Sequence, residues 1–414
     1  MSTKTTLPVI AAALLGAVFP ALAQQPAPGA NFPEGPGKST VQAVCNGCHD
    51  INRLTAGYTP NGWLTVTNMM KNFGAPVPDD QWDTVRAYLI RSFPEKPRPP
   101  AVIIPGSVEV NIMEWPLPTP GSRPHDPAAG KDGSIWWTGQ LANKIGHLDP
   151  KTGKFKEYPV NPMSAPHGLL EDKEGNIWFT GNFRGFIGKL DTKTGEVTEY
   201  NIPDPKAKDP HTLVMDHNGI IWFSVQNGNI VGRLDPKSGT FKLTSPPTNN
   251  ARPYGLAVNS KNQVYFVEFG APKVATIDDD MHIKEYQLPD RNSRPRRIAI
   301  DKDDIVWYTD FSLGRLGRLD PATGVVTEYQ SPSGPKSQPY GIAATKGGIW
   351  YCESMASPNT IVRFDPKSER FQTWAIPGGG DQVRNMAVNP DGNVLISNTL
   401  VNQVGIVEVK SATN

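Results

Sequence analysis

The 414-residue chain has three cysteines, and no second Cys pair accompanies the one at residues 45 and 48. That excludes a four-cysteine zinc site and a disulfide framework. It also lacks a dominant charge sign, with 41 Lys and Arg against 40 Asp and Glu. Such a balance gives no reason to expect nucleic acid or anionic lipid as partner. Beyond the N-terminus, no apolar run is long enough to cross a bilayer. Glycine (39) and proline (41) are abundant and regularly spaced, a sign of many turns rather than of disorder.

The chain opens MSTKTTLPVIAAALLGAVFPALAQQ. Lys4 is a one-charge n-region, Leu7 to Val18 an apolar stretch too short for a comfortable span, and Ala21-Leu22-Ala23 a small-x-small cleavage site. Residues 1–23 therefore read as a secretory signal rather than a membrane anchor, and no Cys follows the cut that would mark a lipoprotein. Cleavage leaves a soluble, exported chain, periplasmic or secreted, with no membrane span.

What is present begins with "VCNGCHD", residues 44–50. A redox dithiol has no use for the histidine, and a zinc site needs two more ligands. Covalent haem c uses all three residues: the thiols of Cys45 and Cys48 add to the haem vinyls, and His49 ligates the iron. Downstream, Trp63 to Asn72 reads as a short helix stopped by Gly74. A second helix runs through Ile90, capped by Asp79 or Asp80, with Trp82, Val85 and Leu89 on one face. Met69 and Met70 lie in the first; a thioether there would complete His/Met ligation, or both would be core methionines. This stretch resembles the small class I c-type cytochromes, in which a Met precedes a "GAP" turn and the last helix carries "YL". The resemblance implies Met70 as distal ligand, with Met69 the alternative, and a domain over 35–93. Residues 94–107, opening "PEKPRPP", read as a Pro-rich linker.

From residue 108 onward the chain repeats. "RPHDPAAGKDGSIWWTG" (123–139), "APHGLLEDKEGNIWFTG" (165–181) and "DPHTLVMDHNGIIWFSV" (209–225) are the first of seven units. The anchors Trp136, Trp178, Trp222, Tyr265, Trp307, Trp350 and Leu395 are spaced 42, 44, 43, 42, 43 and 45 residues apart. Each unit continues with an "IGxLDPxTG" strand and turn and, in all but the last, an "EY"-type strand. Four short strands at this period predict a β-propeller blade. The last unit lacks its fourth strand, while "VEVNIMEWPLP" (108–118) precedes the first unit unmatched. The two ends are expected to share a blade and remove the exposed edges. The predicted fold is an all-β seven-bladed β-propeller, 108–414, with a small all-α cytochrome c domain at its N-terminus.

The start of each first strand and the end of each second strand should meet on one face. The first set reads His125, His167, His211, Tyr254, Arg296, Tyr340 and Arg384; the second reads Gly139, Gly181, Val225, Glu268, Asp310, Glu353 and Asn398. Three histidines on adjacent blades thus oppose three carboxylates on the next. If they converge, the acids favour magnesium or calcium, and three imidazoles favour zinc, copper or iron; acid–base work, or plain blade packing, is the alternative. Cys352, beside Glu353, reads as a small buried hydrophobe, with metal ligation as the alternative.

The repeats resemble the virginiamycin B lyase (streptogramin lyase) propellers, with their "PHGI…GNIWFTE…IGRLDPxTG…EYPIP" units, and the likeness covers Val108 to Asn414. It implies a magnesium held by glutamates at the mouth and a histidine two residues after such a glutamate as the base of an elimination. Glu268 and Glu353 fall on the glutamate positions, with Asp310 a shorter equivalent. The +2 positions here are Gly270, Ser312 and Met355, none of them histidine; His211 or His167 would have to serve instead. Three functions remain open. One is a periplasmic haem c electron-transfer protein whose propeller binds a small organic substrate or a partner dehydrogenase. The others are a metal-dependent lyase-like or hydrolytic enzyme, and a docking scaffold for the cytochrome.

Overall fold

A computed structural model describes residues 31–379 and 382–410; the expected signal at 1–23 lies outside them. The described residues form seven four-stranded antiparallel sheets, six of them each folded from one repeat in sequence order. In the first, the strands are Pro124–Ala129, Ile135–Gly139, Lys144–Asp149 and Lys154–Pro159. The second strand, IWWTG, is buried throughout, whereas the fourth, KFKEYP, is mostly exposed or half-buried. A strand wedged between neighbouring blades needs apolar residues on both faces, and a rim strand needs one.

Two recurring details explain the repeat motifs. Asp172 accepts backbone N–H bonds from Glu174 (3.0 Å) and Asn176 (2.8 Å), and its other oxygen accepts the Trp178 indole N–H at 2.8 Å. The same Asp–Trp bond recurs at Asp216–Trp222 and Asp301–Trp307. The glycine of "IG" in the third strand is steric: a Cβ on Gly146 would lie 2.0 Å from the Trp137 ring.

The seventh sheet is built from both ends of the propeller. Its order is Glu109–Pro116, Gln403–Lys410, Val394–Asn398, Val383–Val388. Pairing runs from Glu109 opposite Lys410 to Pro116 opposite Gln403. The ring is thereby closed by hydrogen bonds, leaving no inter-blade seam at the chain ends.

Each innermost strand carries a register shift after its first residue, as between Pro124 and Pro127 or Pro295 and Ile298. Such a bulge re-aims the unpaired side chains. Hydroxyls on the second strands then pin blade to blade. Thr138 accepts the Asp126 N–H at 3.1 Å and donates to the His167 carbonyl of the next blade at 2.7 Å. Thr180, Ser224 and Thr309 repeat that donation to His211, Tyr254 and Tyr340. Cys352 occupies the same position: it is fully buried, its Sγ lies 3.0 Å from the Val383 carbonyl, and burial pushes its thiol up to about 11.

Among the described residues ahead of the propeller are three α-helices, α1 (Lys38–Cys45), α2 (Pro60–Asn72) and α3 (Trp82–Ser92), with short 3-10 turns between them. Thr59 caps α2, and Trp63, Trp82, Val85, Tyr88 and Leu89 form the centre of a separate apolar cluster. The expected cap at Asp79 or Asp80 is not used: both lie in a 3-10 turn, and the residue before α3 makes no side-chain cap bond. The helical segment rests on the propeller face where the innermost strands begin. Asn72 donates to the Pro120 carbonyl at 2.8 Å, and the Phe73 ring meets Phe183 edge-on at 5.3 Å. The connecting stretch is hydrogen-bonded along the propeller, with Ile104 N–H on Thr373 Oγ1 at 2.7 Å and Val102 N–H on Ser333 Oγ at 3.0 Å.

Because Gln403–Lys410 pairs with strands on both sides, truncation after Asn398 should remove the closure as well as one strand. A large drop in melting temperature with loss of the single cooperative transition is expected in calorimetry; an unchanged melt would contradict the closure.

Candidate functional site

The bulges bring the second residue of each innermost strand to the axis. His125, His167 and His211 stack there, with ring centroids 3.6 Å apart for the first pair and 3.8 Å for the second, and Tyr254 continues the column at 3.8 Å from His211. The three histidines are only 2%, 3% and 4% exposed. Burial holds each imidazole well below its usual value; neighbouring charges, Arg384 and Arg297 for His125 and a flanking histidine for the other two, act in the same direction. The stack is therefore neutral at physiological pH. His125 Nδ1 lies 2.8 Å from Asp126 Oδ1, and His211 Nδ1 lies 3.0 Å from Thr212 Oγ1, while the buried His167 Nδ1 has no hydrogen-bond partner among the described residues.

One layer deeper, the third residues of the innermost strands form a network spanning the axis. Arg297, only 2% exposed, donates to Asp126 Oδ1 at 2.7 Å, to Thr212 Oγ1 at 2.9 Å and to the Arg384 carbonyl at 3.1 Å. Asn385 donates to the other Asp126 oxygen at 3.0 Å. Four blades are thus joined through one guanidinium. A cavity of about 460 Å³ on the far side is lined by Asp126, Thr212, Arg297 and Asn385. Reading the repeats by their second position alone misses this layer; its signal is the "RPRRI" of the fifth repeat, where Arg297 stands in place of the Gly168, Gly255 and Gly341 of other units.

The remaining guanidiniums lie nearer the mouth. Arg296 sits 3.8 Å over the Tyr340 ring and 4.2 Å from Phe311, and Tyr254 and Tyr340 share a hydrogen bond between their hydroxyls. Burial opposes ionisation of Tyr340, but Arg296, Arg384 and Arg297 outweigh it and bring the phenol down to about 8. Tyr254 is pushed up to about 12, chiefly by burial.

The expected convergence of histidines with carboxylates does not occur. Glu268, Asp310 and Glu353 are fully buried at the ends of second strands, and Asp310 and Glu353 are engaged by local hydrogen bonds there. Glu353 accepts from Ser331 Oγ, Ser333 N–H, Ser333 Oγ and Thr360 Oγ1. Asp310 Oδ1 accepts the N–H groups of Arg294, Ser312 and Leu313. Among the described residues neither Glu268 oxygen has a hydrogen-bond partner; burial first, and the adjacent Glu285 second, push its carboxyl up to about 8. The reason is orientation: the strand-two end faces the joint between blades, not the axis. Among the described residues, the one group of three possible metal ligands is His125, Asp126 and His167. A cation there would have to displace Arg297 from Asp126.

A second set of sequence-singled residues does come together. Cys45, Cys48, His49, Met69 and Met70 line one cavity of about 240 Å³ between the helical segment and the propeller. Val44, Leu54, Val66, Val77 and Leu89 supply apolar walls, and Arg123, Leu141, Arg384, Thr399 and Leu400 enter from the propeller. Cys45 ends α1, and burial, then Cys48, raises its thiol. His49 Nδ1 is 3.2 Å from the Asp50 carbonyl, which orients Nε2 as the free ring nitrogen. Trp63, Thr67 and Met70 fall at i, i+4 and i+7 on one face of α2, and Met70 packs on the helical cluster.

Residues 105–355 match the model of the virginiamycin B lyase family. Among solved structures the chain is similar to a streptogramin B lyase, at 29% identity over 73% of this chain and 98% of that one, TM-score 0.67. It is similar also to virginiamycin B lyase from Staphylococcus aureus, at 25% identity over 72% and 99%, TM-score 0.67. A catalytically inactive His-to-Ala form of that enzyme with quinupristin matches equally. No curated protein matches the chain.

Two outcomes test this electrostatic description. Asp126→Ala leaves Arg297 buried without its counter-charge and should cost ~3–5 kcal/mol in urea unfolding, much of it recovered when Arg297→Met is added. The raised Glu268 carboxyl contributes stability below its unfolded value near 4.5 that is lost as pH rises through about 8. Glu268→Gln should therefore raise stability by roughly 3 kcal/mol more at pH 9 than at pH 6, and equal effects at both pH values would refute the assignment.

Proposed function

The chain belongs to the virginiamycin B lyase family, and from that premise we propose that it is an exported electron-transfer protein in which haem c sits on the propeller. The observation that supports this reading is the shared cavity of Cys45, Cys48, His49, Met69 and Met70. The donor set fits the group. Two free thiols stand at the cavity wall, the Asp50 carbonyl presets the His49 tautomer, and two thioethers come from α2. Cys45 and Cys48 would hold the porphyrin through thioethers, and His49 and Met70 would ligate its iron; Met70 is favoured over Met69 because it shares its helix face with Trp63 and Thr67. Bound haem supplies one-electron exchange with a small organic substrate or a partner protein docked at the propeller. The apolar walls would keep water from a group bound in this cavity, and the propeller closes the side that the short helices leave open. Export fits, since the N-terminal stretch reads as a cleaved signal.

The family likeness supports a second reading, a lyase acting on a streptogramin-type ester. It requires a base at the mouth, and the stacked histidines are neutral and so able to accept a proton, though sealed from the cavity. Of the acids expected to hold magnesium, Asp310 and Glu353 are engaged by hydrogen bonds at their strand ends, and Glu268 is buried with its carboxyl raised to about 8.

The two readings separate in one experiment. The purified exported chain should carry covalent haem, absent in the Cys45→Ala/Cys48→Ala variant. Met70→Ala should abolish the Met-to-iron charge-transfer band and lower the reduction potential, while Met69→Ala keeps both. A haem-free chain that linearises a streptogramin B antibiotic would refute the electron-transfer reading and favour the lyase.

A further inference from the structure

Among the described residues, no carboxylate pairs with the fixed positive charge of the junction cavity. Arg123 and Arg384 both enter it from the propeller. Among the described residues neither forms an ion pair, and Arg384 spends only its Nε, on Thr399 Oγ1 at 3.1 Å. Arg296 lies just behind in its aromatic box, and the Arg384 guanidinium is 5.9 Å from the same Tyr340 ring that Arg296 covers. Asp126, buried at the axis, is already shared by Arg297, Asn385 and His125. The histidines, held neutral, offer no negative charge. Burial and the facing Arg384 bring Arg123 down to about 9, a sign that these cations repel one another in a poorly solvated place.

Unneutralised guanidiniums at such a junction are costly unless an anion joins them. A guanidinium fork matches the planar, two-oxygen geometry of a carboxylate. The other walls, Leu54, Val66, Leu141 and Leu400, are apolar, so the anion's body should be apolar too. We infer that Arg123 and Arg384 form a carboxylate-binding site at the helical–propeller junction, taking an organic acid with an apolar body. That carboxylate comes either from the propionate side chains of the haem proposed above, which rests on that reading, or from a free acid, which does not.

The full chain as purified tests both sources. In the first arm, Arg123→Gln and Arg384→Gln are compared with Arg384→Lys by redox titration and visible spectrum. If haem propionates occupy the site, both Gln variants keep covalent haem but titrate at a lower potential, and Arg384→Lys stays near the parent. In the second arm, calorimetry with benzoate against chloride at matched ionic strength asks for a free acid. If one binds, Arg384→Gln should weaken benzoate at least tenfold, with an unchanged melting curve as the folding control. Arginine dependence in either arm supports the site. Potentials and benzoate binding that are both indifferent to the two substitutions overturn it. A chain that carries no haem defeats the electron-transfer reading alone, and the benzoate arm then decides the site by itself.

Discussion

Arg297 reaches across the propeller axis to Asp126, 171 residues earlier in the chain, and the character of the whole mouth follows from that bond. A guanidinium this deeply buried is tolerable only with its counter-charge and its other donors satisfied. Asp126, Thr212 and the Arg384 carbonyl do this, and each comes from a different blade. The bond uses Asp126, which is a carboxylate at the axis. The histidines above it then have no acid free to stabilise a proton, and four guanidiniums lie close enough to lower His125. An axis built in this way is a place for neutral rings and for anions, and a poor one for a divalent cation.

The helical segment bears on the same face. Asn72, Phe73 and the close approach of Gly121 to the end of α2 seat it over the starts of the innermost strands. A Cβ on Gly121 would fall 2.5 Å from Asn68 and Met69 backbone atoms, so the approach depends on that glycine. The seat sets the CxxCH cavity against Arg123 and Arg384 and separates it from the far-side cavity by the histidine layer. Two openings therefore exist along the axis, with different chemistry: apolar and cationic under the helices, polar and network-bound on the other side.

Much of this was legible in the sequence, and the failures have physical causes. The 43-residue rhythm of "GNIWFTG"-type strands stated the blade count, because a strand buried on both faces has few alternatives to Trp, Phe and Ile. The unmatched 108–118 segment pointed to the closure because an edge strand needs a partner. His125, His167 and His211 were found because alignment alone places them at equivalent positions. The acids were misplaced because a strand-end residue was assumed to face the axis; Glu353, with its ring of Ser331, Ser333 and Thr360, shows it facing the blade joint. Asp126, Arg297 and Asn385 were missed because a bulge after the first residue swings the third position inward, and no simple two-residue alternation anticipates a bulge. Cys352 was legible as a buried small residue, though not as the counterpart of Thr138 and Thr180.

The electrostatics of the mouth also bear on why a haem would be placed here rather than on an open surface. Taking up an electron adds negative charge to the site. Fixed cations nearby stabilise the reduced form, and a low-dielectric surrounding lengthens their reach. Arg123, Arg296 and Arg384 form no ion pair among the described residues and are held by the propeller rather than by the short helices. On the proposed reading, the family's propeller is the part that sets the potential, and the helical segment is the part that supplies the ligands. That division requires the two to stay in contact, and the linker's hydrogen bonds to Ser333 and Thr373 restrict the helical segment from drifting off the mouth. Loss of the contact would leave the ligands intact and remove the field, so a helical segment expressed without its propeller would bind the same haem at a lower potential.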